Sequence, residues 1–156
     1  MKSNLEPVKD LNVTRRKLPH YQSTRTCYFV TSHCTLGVIL SHEERDIVLS
    51  AIKFLDHKKY DLLTAVVMPD HIHLLIIPLA KDEKCEFSLS EIMHSIKSYT
   101  SHQCKRKLWQ HESFDRTVRG DDDFVTFASY IQNNPVKKGL INEDEVYKWY
   151  YVFLGD

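Results

Sequence analysis

The order of apolar runs predicts an α+β fold, a ferredoxin-like βαββαβ antiparallel sheet with helices packed on one face. Three observations carry this. Ser41 with Glu44 and Ser88 with Glu91 are capping-box patterns, each followed by apolar residues at helical spacing. Leu62 to Met68 and His71 to Pro78 are apolar runs joined by Pro69-Asp70, a pair suited to a tight turn, and so predict a hairpin. A β-branched and aromatic run, Thr26 to Cys34, precedes the first helix and reads as the first strand.

Taken in order, residues 1–24 lack periodicity and contain Pro7 and Pro19, which predicts an irregular basic arm ahead of a single domain over 25–156. The first helix buries Ile47, Val48, Ala51, Ile52 and Leu55 and stops near His57 to Lys59. After the hairpin, Lys81 to Glu86 is a charged loop, and the second helix runs from about Leu89 to Lys107. Trp109 to Val118 predicts a short strand and a turn ending near Gly120. Asp121, Asp122 and Asp123 suit the positive end of a helix dipole and open a third helix, which buries Phe124, Phe127, Ala128 and Ile131. Asn133-Asn134-Pro135 is expected to end it, because the residue before a proline disfavours the helical region. Tyr147 to Leu154 is aromatic and reads as a terminal strand or a packed tail.

With 156 residues, 42% of them hydrophobic and 27% charged, the chain has the size and composition of one globular domain. Met1 to Asp10 holds no apolar stretch flanked by basic residues, and no run approaches the roughly 18 residues of a membrane span, so a cytoplasmic, nucleoid-associated protein is expected. Cys27, Cys34, Cys85 and Cys104 show no Cys-x-x-Cys spacing and predict free thiols rather than a zinc ribbon. The 21 basic and 21 acidic side chains cancel, which argues against indiscriminate nucleic-acid binding. The charges are nonetheless segregated. No Asp or Glu falls from Leu11 through His42, which holds Arg15, Arg16, Lys17 and Arg25, or from Ile92 through His111, which holds Lys97, Lys105, Arg106 and Lys107.

The chemistry concentrates in two stretches. Side chains alternate along a strand, so His71 and His73 share one face of the hairpin while Ile72, Leu74 and Ile76 point to the other. Two imidazoles so placed can offer lone pairs to one divalent metal, although a His-x-His in a sheet is more often structural. In the second helix Ile92, Ile96, Tyr99 and Gln103 recur at intervals of four, three and four and form one stripe. If the isoleucines face the sheet, Tyr99 and Gln103 do too, the bland alternative being a core-edge aromatic and a helix-end amide. Joined, His71, His73 and Gln103 make three ligands with room for water and a phosphate oxygen, which suits Mg²⁺ or Mn²⁺ better than a closed zinc site. Tyr99 then stands beside the metal as the nucleophile, and its hydroxyl, with a reference pKa of about 10, needs help to lose its proton.

Several segments together resemble the HUH single-tyrosine transposases, specifically the REP-associated tyrosine transposase branch. They are Tyr-Phe-Val-Thr at 28–31, Met-Pro-Asp-His-Ile-His-Leu-Leu at 68–75, Lys-Ser-Tyr-Thr at 97–100, Tyr-Ile-Gln-Asn-Asn-Pro-Val-Lys-Lys-Gly-Leu at 130–140, and Trp149-Tyr150. The resemblance implies an HUH endonuclease fold in which His71 and His73 bind Mg²⁺ or Mn²⁺, Gln103 is the helix-borne third ligand, and Tyr99 forms a 5′-phosphotyrosyl DNA adduct with release of a 3′ hydroxyl. It implies single-stranded, palindromic REP-type hairpins as substrates and a monomer, with a homodimer as the alternative. Phosphates of such a hairpin suit Arg15, Arg16, Lys17, Arg25, Lys97, Lys105, Arg106 and Lys107, and unpaired bases suit aromatics. Two rivals stand beside this reading: a domesticated hairpin-binding protein that does not cleave, and an RNA-recognition-like module that stacks bases on Tyr28 and Phe29.

Overall fold

A computed structural model describes residues 25–155. Its elements, in order, are β1 (Tyr28–Cys34), α1 (His42–Phe54), β2 (Tyr60–Val67), β3 (His71–Pro78), α2 (Leu89–Cys104), β4 (Trp109–Thr117), α3 (Gly120–Lys137) and β5 (Tyr150–Val152). The strands form one sheet in the order β4-β1-β3-β2-β5 with every neighbour antiparallel. The first four strands are thus the predicted βαββαβ arrangement, and the aromatic tail adds a fifth strand against β2.

Both predicted capping boxes form. Ser41 and Glu44 exchange hydrogen bonds of 3.1 and 3.0 Å at the start of α1, and Ser88 and Glu91 do the same at 3.0 and 2.8 Å at the start of α2. The second helix ends at Cys104, short of the expected Lys107, because Lys105 takes a left-handed conformation (φ 55) and caps it. β4 is a full nine-residue strand rather than a short one, paired along β1. Trp149 anchors the tail: it is buried, donates from Nε1 to Asp46 at 2.8 Å and lies under the Arg45 guanidinium.

Two features of the fold decide where the site lies. The two helices of the βαββαβ unit share a face, as expected, and the third helix takes the other. α1 and α2 pack together on the side of Val30 and Ile72, Leu74 and Ile76, whereas α3 lies on the opposite side, where Phe127 stacks on Phe29 of β1 at 4.6 Å. The sheet is therefore covered on both sides and every residue of β3 is buried, which is why its polar alternation is hidden in an almost continuous apolar run. Secondly, Pro135 does not end α3. It sits in the last turn, where the missing N–H forfeits one backbone bond, and the helix continues to Lys137 before Gly139 (φ 74) turns the chain, its N–H donating to Val136. No helix among the described residues is long and apolar enough to cross a membrane.

Candidate active site

β3 lies in the middle of the sheet, and its neighbour β1 sets the orientation of the histidines. Thr31 stands opposite His73 in register, and its Oγ1 lies 2.8 Å from His73 Nδ1. The Asp70 carboxylate holds His71 Nδ1 at 2.7 Å. The turn carrying Asp70 is itself tied down, since Cys34 N–H donates to the Asp70 carbonyl and Leu40 N–H to that of Pro69. With both Nδ1 atoms engaged, each ring presents Nε2 outward, the usual way that a neighbouring oxygen fixes the tautomer of a ligating imidazole. His73 Nε2 is buried and meets no hydrogen-bond partner among the described residues. Burial first, then the charges of His71, His33 and Lys138, push the His73 imidazole down to about 3, so the ring is neutral at neutral pH and keeps a lone pair to donate. Burial works against the Asp70 carboxylate, but the His71 hydrogen bond and the nearby imidazoles outweigh it and hold its pKa below the usual range.

The opposite wall comes from α3. Because the helix runs through Pro135, Tyr130 and Asn134 are separated by one full turn and share a face. The Tyr130 ring stands edge-on to His73 with centroids 5.2 Å apart, and Tyr130 is 42% exposed. Asn134 is 1% exposed, and neither its Oδ1 nor its Nδ2 has a partner among the described residues. Leaving such a group unsatisfied costs about 1–3 kcal/mol, which marks a position kept for something other than stability. Two imidazole nitrogens and an amide oxygen make a donor set that fits a divalent cation, and His73 and Asn134 carry orphaned buried atoms.

These walls enclose an open cavity of about 750 Å³, lined among others by Thr31, His33, His71, His73, Tyr130 and Lys138. Arg116 and Lys138 bring positive charge to it, and the Arg116 guanidinium lies over the Phe127 ring. A single-stranded backbone threaded past the histidines would thus meet cations from β4 and from the end of α3.

The expected meeting of the two sequence stretches does not occur. Tyr99 is 53% exposed and lines a separate cavity with Ser50, Ala51, Phe54, Leu55, Lys59 and Ser95, on the side of the sheet away from the histidines. Gln103 is exposed on the same helix. The face of α2 that does meet the sheet carries Ile92, Met93, Ile96 and Thr100, which leaves Tyr99 displaced toward α1. Tyr130 stands beside His73, and Asn134 follows one turn later on the same helix, the spacing that Tyr99 and Gln103 also show.

The predicted basic residues are also distributed differently. Arg25 is spent on Asp61 and on the carbonyls of Ile77 and Pro78. Lys97, its pKa lowered by burial, donates to the carbonyls of Gln110 and His111. Arg106 makes a two-pronged pair with Glu44 at 2.7 and 2.8 Å, and that pairing brings Glu44 down to about 2. Lys105 and Lys107 are exposed near the end of α2, Lys107 beside a hollow between α2 and β4 rather than on the histidine face. Arg15, Arg16 and Lys17 lie outside the described residues. Phe29, one of the two aromatics of the RNA-recognition alternative, is buried beneath Phe127, so α3 covers the surface that such a module would use. A second cluster, Asp56, His57 and Asp61, brings ligand atoms within 4.8 Å of one another, but Asp61 is paired with Arg25 and Asp56 accepts from Leu62 N–H.

Comparison with known proteins gives the family. The family described as "Transposase IS200 like" matches residues 37–134, a span that includes His71 and His73 and both tyrosines, Tyr99 and Tyr130. A Haemophilus influenzae protein assigned to the REP-associated tyrosine transposases is 23% identical over 107 residues, covering 62% of this chain and 60% of that protein. The REP-associated tyrosine transposase of Escherichia coli K12 is 28% identical over 94 residues, covering 59% of this chain and 54% of its own length. The matches thus span little more than half of either relative. In fold, the chain is similar to a solved REP-associated tyrosine transposase bound to a REP hairpin, with a TM-score of 0.68 at 21% identity over 80% of this chain and 75% of that one. On the family match, which takes in well over half of its residues, the chain belongs to the IS200-like transposase family.

Proposed function

We propose that the protein is a divalent-metal-dependent enzyme that nicks and joins single-stranded DNA, with REP-type hairpins as its substrates, Tyr130 as the nucleophile, and His71, His73 and Asn134 as the residues that hold the metal. The observation that carries the reading is the orphaned, buried Nε2 of His73 with the half-exposed Tyr130 ring 5.2 Å from that imidazole, and the orphaned, buried amide of Asn134 one helical turn beyond Tyr130. Mg²⁺ or Mn²⁺ bound there supplies Lewis-acid polarisation of the phosphodiester. Tyr130 Oη forms a bond to phosphorus as the bond from phosphorus to the 3′ oxygen breaks. The phenolic proton is released to water, and the departing oxygen takes one up to become a 3′ hydroxyl. One phosphoester replaces another, so the 3′ hydroxyl of a second strand can reverse the step and join ends without ATP. Thr31 and Asp70 keep the two imidazoles turned toward the cavity throughout, and Arg116 and Lys138 offset the charge of the strand.

The test is incubation with a labelled single-stranded hairpin and Mg²⁺ or Mn²⁺, followed by denaturing electrophoresis. A metal-dependent covalent adduct that disappears in Tyr130→Phe is expected. Tight hairpin binding with no adduct on any of a panel of hairpins would replace this reading with that of a non-cleaving hairpin-binding protein.

A further inference from the structure

The cavity is wider than the reacting atoms need, and its outer part is apolar. Phe114 is 58% exposed, Ile39 62% and Leu140 42%, and all three line the same cavity as the histidines. Burying such side chains is favourable, so leaving three exposed around one hollow is a feature to be explained. The register places Phe114 closely. Thr31 stands opposite Phe114 on one side and opposite His73 on the other, so the three residues form one row across β4, β1 and β3 on one face of the sheet. At the usual strand spacing Phe114 is about 10 Å from His73 along that row. α3 packs over Phe29 and His73 and leaves Phe114 uncovered, its ring meeting the edge of His33 at 6.3 Å. Arg116 follows two residues later on the same face, and Lys138 lines the cavity as well.

We infer that Phe114 is a stacking platform for an unpaired nucleobase of the single strand adjoining the attacked phosphate, with Arg116 and Lys138 engaging the phosphates on either side of that base. An exposed aromatic face in a cavity that two cations also line has the chemistry of single-strand recognition, in which every base offers a π-face and the backbone supplies the charge. A protein segment fits less well, because the cations lining the cavity call for an anionic ligand. The inference rests on the proposed reaction, since it is that reading which puts a single strand in the cavity.

The experiment uses the full chain carrying Tyr130→Phe, so that binding is read without cleavage. The probes are a DNA hairpin pool with a randomised single-stranded flank containing iododeoxyuridine, and the same hairpin without the flank. Phe114→Ala is expected to bind the flanked pool about tenfold more weakly, to bind the blunt hairpin unchanged, and to lose a photo-crosslink that maps to Phe114. Phe114→Trp is expected to restore flanked binding. Equal affinity of Phe114→Ala and its parent for the flanked pool would overturn the inference, as would an equal loss on the blunt hairpin. The proposed reaction is scored separately by adduct formation in the chain that retains Tyr130. Flank binding that depends on Phe114 without an adduct would sink the reaction and keep the platform, and the reverse pattern would sink the platform alone.

Discussion

On the side of the sheet that α1 and α2 cover, two buried hydroxyls are matched: that of Tyr60 donates to the Ile52 carbonyl at 2.7 Å, and Thr100 Oγ1 both donates to Ile96 and accepts from Trp109 Nε1. On the side that α3 covers, His73 Nε2 and both amide atoms of Asn134 are left without partners among the described residues. Both sides are well packed and both present a tyrosine at an accessible position, Tyr99 on the first and Tyr130 on the second. What separates them is unmet hydrogen-bonding capacity. Apart from Arg25 Nε and Thr35 Oγ1, the orphaned buried side-chain atoms among the described residues belong to His73 and Asn134, which is why the proposed chemistry is set on that side.

The largest expected effect falls on Asn134. Asn134→Leu removes an unsatisfied amide at similar volume, so the metal-free protein should be unchanged or more stable, by up to about 1–3 kcal/mol in thermal or denaturant unfolding. The same change should weaken Mn²⁺ binding at least 100-fold by titration calorimetry and abolish adduct formation. Gln103→Leu should do neither. If Asn134→Leu bound Mn²⁺ as the parent does, the contrast between the two sides would lose its meaning.

Next come the residues that orient the imidazoles. Thr31→Val and Asp70→Asn should each weaken Mn²⁺ affinity by about tenfold, within the range found for groups that orient ligating histidines. Unchanged affinity in both would show that the rings hold their orientation by packing alone.

Acid should distinguish the two sides as well. In the metal-free protein the unfolded chain protonates His73 near 6.5, whereas the folded chain resists down to about 3. That contribution to stability is therefore complete above about 6.5 and drains as the pH falls toward 3, at no more than about 1.4 kcal/mol per pH unit. On the other side, the Arg106 hydrogen bond holds Glu44 at about 2, so its smaller, solvent-screened contribution is complete above about 4.5 and is lost between there and 2. Denaturant unfolding of the parent and of His73→Gln across this range, with chelator present, should show the variant losing the upper window only. The smallest effect belongs to Tyr99→Phe, which should leave adduct formation unchanged and shift stability by less than about 0.5 kcal/mol.

Much of this was legible in the sequence, and the failures have identifiable physical sources. The capping boxes located α1 and α2, the Pro69-Asp70 turn located the hairpin, and strand alternation put His71 and His73 on a common face. The period of a helix identifies which of its residues face a sheet but not which side of the sheet it covers, so the Ile92, Ile96, Tyr99 and Gln103 stripe was carried to the wrong side. Reading Pro135 as the end of α3 concealed the pair proposed here, Tyr130 and Asn134. A proline in a last turn costs one backbone bond and leaves the preceding residues helical, so Tyr130 and Asn134, four apart, show the same spacing that had singled out Tyr99 and Gln103. The ion pairs of Arg25 and Arg106 depend on residues 36 and 62 positions away and had no local signature.

The central claim is tested most directly by locating the DNA on the protein. The covalent adduct formed with a labelled hairpin and Mn²⁺ is trimmed with nuclease and digested with trypsin, and the nucleotide-bearing peptide is sequenced by mass spectrometry. Cleavage after lysine and arginine places the two tyrosines on different peptides, Gly120 to Lys137 and Ser98 to Lys105. The account predicts the nucleotide on Tyr130 in the first. Finding it on Tyr99 in the second would contradict the account and return the chemistry to the other side of the sheet.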